Sequence, residues 1–229
     1  ERENIRLREE LQRSEKLKAV GTLAAGMAHE IKNPLSAIKT FTEYLPEKHN
    51  DPSFRDKFKR IVGSEVEKIN NIVGQVLDFA KPKPLSLKKT DMHVLLDDTL
   101  SLLSNDLLQK RINVVKEYVS SKLNVDVDPN QLKQAFLNIF LNAIDAMPKG
   151  GSLTISTAKK NNNIAISVQD TGCGIPKKNI PHLFDPFYSN KEGSTGLGLS
   201  IVHGIIKKHN GSIVVESGEG KGSKFIVKL

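Results

Sequence analysis

Lys81-Pro82-Lys83-Pro84 divides the chain. A proline inside a helix has no N–H to donate, and its ring meets the preceding turn. Two prolines in four residues therefore end one helix and begin a linker. Before them the pattern is helical. Leu17, Gly21, Ala24, Ala28, Ile31, Leu35, Ile38, Thr42 and Leu45 recur in steps of four and three, as do Phe58, Val62, Val66, Ile69, Val73, Val76 and Ala80. Such spacing is the heptad seam of packed helices, loosened in the first by small residues. Pro46-Glu47-Lys48-His49-Asn50-Asp51-Pro52 has the composition of a turn, and Ser53 is placed to cap a second helix over Phe54–Ala80. Two antiparallel helices have too little core to stand alone. Pairing two such hairpins buries both seams, so the expectation is a homodimer built on a dimeric four-helix bundle. Upstream, Glu1–Lys18 is rich in Glu and Arg around Leu7, Leu11 and Leu17, and reads as an amphipathic or coiled-coil entry helix.

After the linker the period changes. Asp91–Leu108 reads as a helix, and Ile112–Tyr118 and Leu123–Val127 as strands. Asp128-Pro129 is a helix start, a carboxylate cap followed by proline at the first helical position, and that helix runs to Met147. Ser152–Ala158 and Ile164–Gln169 alternate as strands around a turn at Asn161-Asn162-Asn163. Ser200–His209 is a helix stopped by Asn210-Gly211, and Ile213–Glu216 and Lys224–Leu229 are closing strands. Strands with interspersed helices imply an α+β sandwich, a sheet with helices on one face. The expected division is 1–80 for the entry helix and hairpin, 81–87 for the linker and 88–229 for the second domain.

Composition excludes several classes. Of 229 residues, 38% are hydrophobic and 26% charged, the balance of a globular protein. There is no run of ~20 apolar residues and no signal peptide, so no membrane contact is expected within this fragment. The first residue, Glu1, reads as part of a longer protein. One cysteine, Cys173, cannot form an internal disulfide and fits a reducing cytoplasm. The net charge of +8 is spread along the chain with no aromatic-studded basic ribbon, which argues against nucleic acid and for a nucleotide phosphate or an acidic partner.

Two groups of residues carry chemistry. In the hairpin, His29 lies one position past the seam residue Ala28 and so projects from the helix flank. Glu30 is adjacent, and Asn33 stands one turn on along the same face, followed by Pro34. A neutral imidazole is a nucleophile, and a neighbouring carboxylate can hold one ring nitrogen as donor while the other attacks. An exposed His-Glu pair is also an ordinary solvated face. The zinc-protease pattern His-Glu-x-x-His is broken, because Asn33 stands where the second histidine belongs.

The second group points to a nucleotide. Asn138 and Asn142 share one face of an otherwise apolar helix, where asparagine is a poor helix former. An amide oxygen there suits Mg²⁺ with phosphates, or satisfies buried backbone. Asp170-Thr171-Gly172-Cys173-Gly174 ends a strand. Its carboxylate can accept from an adenine amino group and its glycines admit a flat ring, though a strand-end turn has the same letters. Leu183-Phe184-Asp185-Pro186-Phe187-Tyr188 is an aromatic cluster that core packing explains. Thr195-Gly196-Leu197-Gly198-Leu199-Ser200 opens a helix, and backbone amides at a helix start favour phosphate. Lys191, just before, is a phosphate contact or a solvated loop lysine. Neither the dinucleotide fingerprint nor the Walker sequence is present.

In order and spacing, His29-Glu30-Ile31-Lys32-Asn33-Pro34-Leu35, then Asn138 to Ala143, Asp170 to Gly174, Phe184 to Phe187 and Gly196-Leu197-Gly198-Leu199 resemble the successive boxes of two-component sensor histidine kinases, from about Leu17 to the end. The resemblance implies a dimerisation and phosphotransfer hairpin followed by an α/β sandwich of the Bergerat ATPase type. It implies that His29 attacks the γ-phosphate of ATP with Glu30 as base, that Asn33 orients water in dephosphorylation of the partner, and that Asn142 ligates Mg²⁺ beside Asn138. It further implies that Asp170 reads adenine with Gly172 and Gly174 shaping the wall, and that Gly196, Leu197, Gly198 and Leu199 form the lid hinge and phosphate contact. The phosphoryl group would pass to an aspartate of a response-regulator receiver domain, with phosphatase activity toward the same partner. Many members have a basic residue three places after the Mg²⁺ asparagine; here it is Asp145, and the lid is short. Both features are similar to the nitrogen-regulatory subgroup, where a lid lysine such as Lys191 substitutes. The rivals are a gyrase-like or mismatch-repair-like ATPase, against which the His29-Glu30 hairpin argues, and an ATP-binding scaffold or phosphatase-dominant member.

Overall fold

The computed structural model describes residues 30–80, 84–160, 163–189 and 196–229. The expectations for the entry helix, for His29, for linker residues 81–83, for the Asn161-Asn162 turn and for Lys191 lie outside them. The described residues form two compact units, 30–80 with Ser189, Gly196 and Leu197, and Pro84–Tyr188 with Gly198–Leu229. No helix among them is long and apolar enough to cross a membrane.

The first unit is a helical hairpin. Helix α1 is described over 30–48 and α2 spans Pro52–Ala80. The turn is shorter than its composition suggested, because α1 continues across Pro46 to residue 48. The carbonyl of Pro46 is taken by His49 Nδ1 at 2.9 Å, and Asp51 N closes the end on Lys48 O at 3.0 Å. The cap of α2 is also two residues earlier than expected. Asp51, not Ser53, supplies it, accepting from Ser53 N at 2.9 Å, with Pro52 at the first helical position. That backbone hydrogen bond holds the Asp51 carboxyl below its ordinary range. Phe54 stacks on Phe41 at 6.1 Å and neighbours Phe58 at 6.2 Å, which knits the turn end of the hairpin. Along the shaft, the seam residues Leu35, Leu45, Val66 and Val73 remain more than a third exposed in the single chain. Among the described residues, these four seam positions are thus left uncovered.

The second unit is α+β. Strand β1 (Lys88–Asp91) pairs antiparallel with β3 (Asn124–Val127) as a separate ribbon. The main sheet has the order β2-β4-β5-β7-β6, from β2 (Ile112–Glu117), β4 (Gly151–Lys160), β5 (Asn163–Asp170), β7 (Ser223–Lys228) and β6 (Ser212–Ser217). Among the described strands, only the β2–β4 pairing is parallel. Helices α3 (Met92–Ser101), α4 (Ser104–Gln109), α5 (Pro129–Ala146) and α6 (Gly198–Lys208) complete it, with a 3₁₀ helix at Lys177–His182. The expected single helix over Asp91–Leu108 is two. Leu103 N bonds Leu100 O at 3.0 Å, a tighter three-residue step that turns the chain so that Leu103 and Leu107 join the core already faced by Leu96 and Leu100.

Helix α5 is the centre of the unit, packed against α3, α6 and β5. Its apolar face, Leu132, Ala135, Phe136, Ile139, Phe140, Ala143 and Ile144, is buried. Facing it, β5 buries alternate residues Ile164, Ile166, Val168 and Asp170. The start of α5 is as the sequence indicated. Asp128 Oδ1 accepts from Asn130 N and Gln131 N, each at 3.1 Å, ahead of Pro129. Burial pushes the Asp128 carboxyl up, but the amides of Ser86, Gln131 and Asn130 outweigh it and hold the carboxyl below its ordinary value. Removing this cap with Asp128→Ala should lower the unfolding free energy by about 1–2 kcal/mol. Urea denaturation at neutral pH checks it, and the difference should shrink as pH falls through the carboxyl's depressed titration.

Candidate nucleotide and phospho-acceptor sites

The nucleotide side is built from the ends of β5, α5 and α6. Asp170 continues the buried alternation of β5 with a carboxylate where an aliphatic residue would otherwise stand, and is 3% exposed. Its Oδ1 accepts from Gly172 N at 2.8 Å and Ser223 N at 3.2 Å, Ser223 being its register partner on β7. Backbone amides aimed at this buried carboxyl offset the cost of taking it out of water.

The glycines of the following loop are required by the protein's own backbone. A Cβ on Gly172 would lie 2.5 Å from Ala146 O, at the end of α5. Gly174 has φ +70°, and a Cβ there would run into Gly218 O. The loop is pinned by Cys173 N on Ala146 O at 3.0 Å and by Gly220 N on Cys173 O at 2.7 Å. Ile175 N bonds Ser217 Oγ at 2.8 Å. The partner of this loop, the β6–β7 turn Gly218-Glu219-Gly220-Lys221-Gly222, was missed in the sequence. Its signal was three glycines spaced two apart between strands.

On α5, Asn138 and Asn142 are half-buried. Asn138 Nδ2 donates to Gly198 O at 3.3 Å, tying α5 to the first residue of α6. Asn142 has no hydrogen-bond partner among the described residues. An uncommitted amide oxygen suits a hard cation that takes its other ligands from phosphates and water. No group of three or more His, Cys, Asp or Glu that could hold a metal occurs among the described residues. Asp145 pairs with Lys110 Nζ at 3.1 Å. Gly198 and Leu199 open α6, whose first-turn amides form the positive end of the helix dipole. Gly196, with φ +61°, and Leu197 group with the other unit. Phe184 stacks on His203 of α6 at 5.2 Å, which anchors the aromatic cluster as packing; Phe187 takes φ +67°. Burial, aided by Lys207, holds His203 below its ordinary pKa. Cys173 is an exposed free thiol.

In the hairpin unit, Glu30 and Asn33 lie on α1. Pro34 has no N–H, so the carbonyl of Glu30 loses its helical partner. One carboxyl oxygen of Glu30, Oε2, is buried with no hydrogen-bond partner, and burial raises the Glu30 pKa above the ordinary 4.5. Asn33 is exposed.

The loop contacts separate the glycines by role. Gly174→Ala should destabilise the second unit by about 2 kcal/mol or more, because both the φ and the Gly218 carbonyl oppose a side chain. Gly198→Ala, whose Cβ would meet nothing closer than Asn138 Cγ at 3.9 Å, should leave stability within about 0.5 kcal/mol of native. Thermal unfolding of the two variants side by side checks the contrast.

Residues 127–229 match the model of the histidine kinase-, DNA gyrase B-, and HSP90-like ATPase family, and residues 19–84 that of the His Kinase A (phospho-acceptor) domain. Sensor histidine kinase ZraS of Escherichia coli K12 is 36% identical over 223 residues, covering 97% of this chain and 48% of the relative. Sporulation kinase C of Bacillus subtilis strain 168 is 39% identical over 231 residues, covering 100% of this chain and 53% of the relative. The chain thus spans about half the length of the curated relatives it matches. Among solved structures, histidine kinase ThkA in complex with the response regulator TrrA aligns with a TM-score of 0.83 at 28% identity, over 98% of this chain and 65% of that one. With a phospho-acceptor model at one end, an ATPase model at the other and kinases of both kinds along its length, the chain belongs to the two-component sensor histidine kinases.

Proposed function

We propose that this chain phosphorylates itself on His29 from ATP and passes the phosphoryl group to an aspartate of a response-regulator receiver domain. The observation that carries the reading is Glu30, whose carboxyl is partly desolvated, unpaired at Oε2 and raised in pKa, beside the histidine in the sequence. A carboxyl of that kind is a better base than a solvated one, because its pKa moves toward the operating pH.

In this reading a neutral His29 ring nitrogen attacks the γ-phosphorus. The N–P bond forms as the bond to the bridging oxygen breaks and ADP leaves. Glu30 accepts the proton shed by the other ring nitrogen. Asn142 holds Mg²⁺ by its amide oxygen, and Mg²⁺, when bound, neutralises charge on the phosphates. Asn138 stands beside it. Asp170 accepts from the adenine amino group in a wall shaped by Gly172 and Gly174. Gly196, Leu197, Gly198 and Leu199 supply the hinge and the amides that meet the phosphates, and Lys191 replaces the basic residue that Asp145 displaces. Asn33, exposed on α1, orients water when the receiver is dephosphorylated. The exposed seam of Leu35, Leu45, Val66 and Val73 supports a homodimer through the hairpin, with 81–87 as the linker between hairpin and ATP-binding domain. The response regulator bound to the ThkA neighbour supports a receiver as partner.

Glu30→Gln tests the base. Phosphohistidine formation should fall about 10²- to 10⁴-fold with ATP affinity unchanged; equal rates would remove Glu30 from the mechanism. The same variant has a stability signature. A carboxyl whose pKa is raised by folding stabilises fully only below its ordinary value of 4.5, and that contribution is lost as pH rises through the folded value. Glu30→Gln should therefore melt higher than native at about pH 7.5 and equally at about pH 4.

A further inference from the structure

Helices α5 and α6 run antiparallel and are tied at two points. At the nucleotide end, Asn138 Nδ2 donates to Gly198 O at 3.3 Å. At the other end, Asp128 N donates to His209 Nε2 at 2.9 Å. His209 Nδ1 lies 2.8 Å from Ile205 O. Since Nε2 accepts, Nδ1 carries the proton and donates to that carbonyl, so the two bonds together fix both the tautomer and the ring plane. The ties are about 15 Å apart along the helices.

The far tie is also where a third segment arrives. Asp128 Oδ2 accepts from Ser86 N at 3.0 Å, two residues after Pro84. The carboxylate is 6% exposed, and its other oxygen caps α5. Apolar packing of Ile201, Val202, Ile205 and Ile206 holds α6 down but is non-directional, and admits small shifts along the axis. The Asn138–Gly198 bond, at 3.3 Å, is a long and weak restraint. Of these two ties, the His209 bridge is therefore the tighter directional restraint on where α6 begins relative to Asn138 and Asn142.

We propose that His209 is a positioning residue for the nucleotide: by accepting from Asp128 N it sets the axial register of α6 on α5, and so the place of the Gly198 amide end relative to Asn142. The inference rests on the ATP reading above. It predicts that losing the acceptor loosens nucleotide binding without unfolding the unit. Glutamine carries an acceptor oxygen at the position of Nε2, whereas phenylalanine keeps the ring without an acceptor. Asparagine, should the phenylalanine variant not fold, has an amide too short to reach Asp128 N.

The test is binding of a ribose-labelled fluorescent ATP analogue with Mg²⁺ to the whole chain, at a temperature where circular dichroism shows each variant fully folded. His209→Phe, or His209→Asn in its place, should weaken binding about five- to tenfold, and His209→Gln should return to within about twofold of native, as expected for one directional hydrogen bond. Native affinity in the acceptor-less variant, with only a lowered melting temperature, would make the bridge purely structural and overturn the proposal. Failure of His209→Gln to restore affinity would overturn it equally. A native chain that binds no nucleotide would overturn the ATP reading itself, and this inference with it.

Discussion

The loops that follow β5 and join β6 to β7 are arranged around a carboxylate buried at the end of a β-strand. Asp170 occupies the last inward position of the Ile164-Ile166-Val168 alternation, where desolvation of a charge is costly unless donors meet it. Among the donors are the backbone amides of Gly172 and Ser223. To bring them in, the chain must turn sharply after β5 and the β6–β7 turn must come close beside it. The Gly218 carbonyl of that turn leaves no space for a Cβ at Gly174, and the Ala146 carbonyl at the end of α5 leaves none at Gly172. A polar group fixed in this way at the edge of an apolar interior is what recognition of a base edge needs.

The hairpin shows the opposite arrangement. There a carboxyl oxygen, Glu30 Oε2, is buried without a partner, and its pKa rises in consequence. One unit lowers the cost of a charge with aimed amides; the other leaves the cost in place. In the proposed mechanism these are different tasks, since a binding carboxylate must stay ionised and a base must be ready to take a proton.

Much of this was legible in the residues, and the failures have physical causes. Asp128-Pro129 announced α5 because a capping carboxylate and a first-turn proline act locally, within four residues. Strand β1 was not seen: Lys88-Lys89-Thr90-Asp91 has no apolar alternation and exists only through its ladder with β3. The break between α3 and α4 was hidden because Leu100, Leu102, Leu103, Leu107 and Leu108 fit one long helix as well as two short ones. Ser53 was taken for the cap that Asp51 provides, since both are capping residues flanking the same proline. The glycines at 172 and 174 read in the sequence as room for a flat ring, and the structure adds a demand of its own, the close approach of Ala146 at Gly172 and of Gly218 at Gly174. The His209 bridge to Asp128 could not be read at all, because nothing local to Lys208-His209-Asn210 indicates an acceptor for a backbone amide 81 residues away. The family itself was legible because its residues recur in a fixed order, although each motif alone has an ordinary explanation.

The central claim, that the ATP-binding unit serves a phospho-accepting histidine in the same chain, is tested most directly by incubating the chain and its His29→Gln variant with γ-labelled ATP and Mg²⁺. The account predicts label on the native chain, stable in base and lost in acid, and none on the variant. Equal label on both, or none on either while nucleotide is still bound, would contradict it.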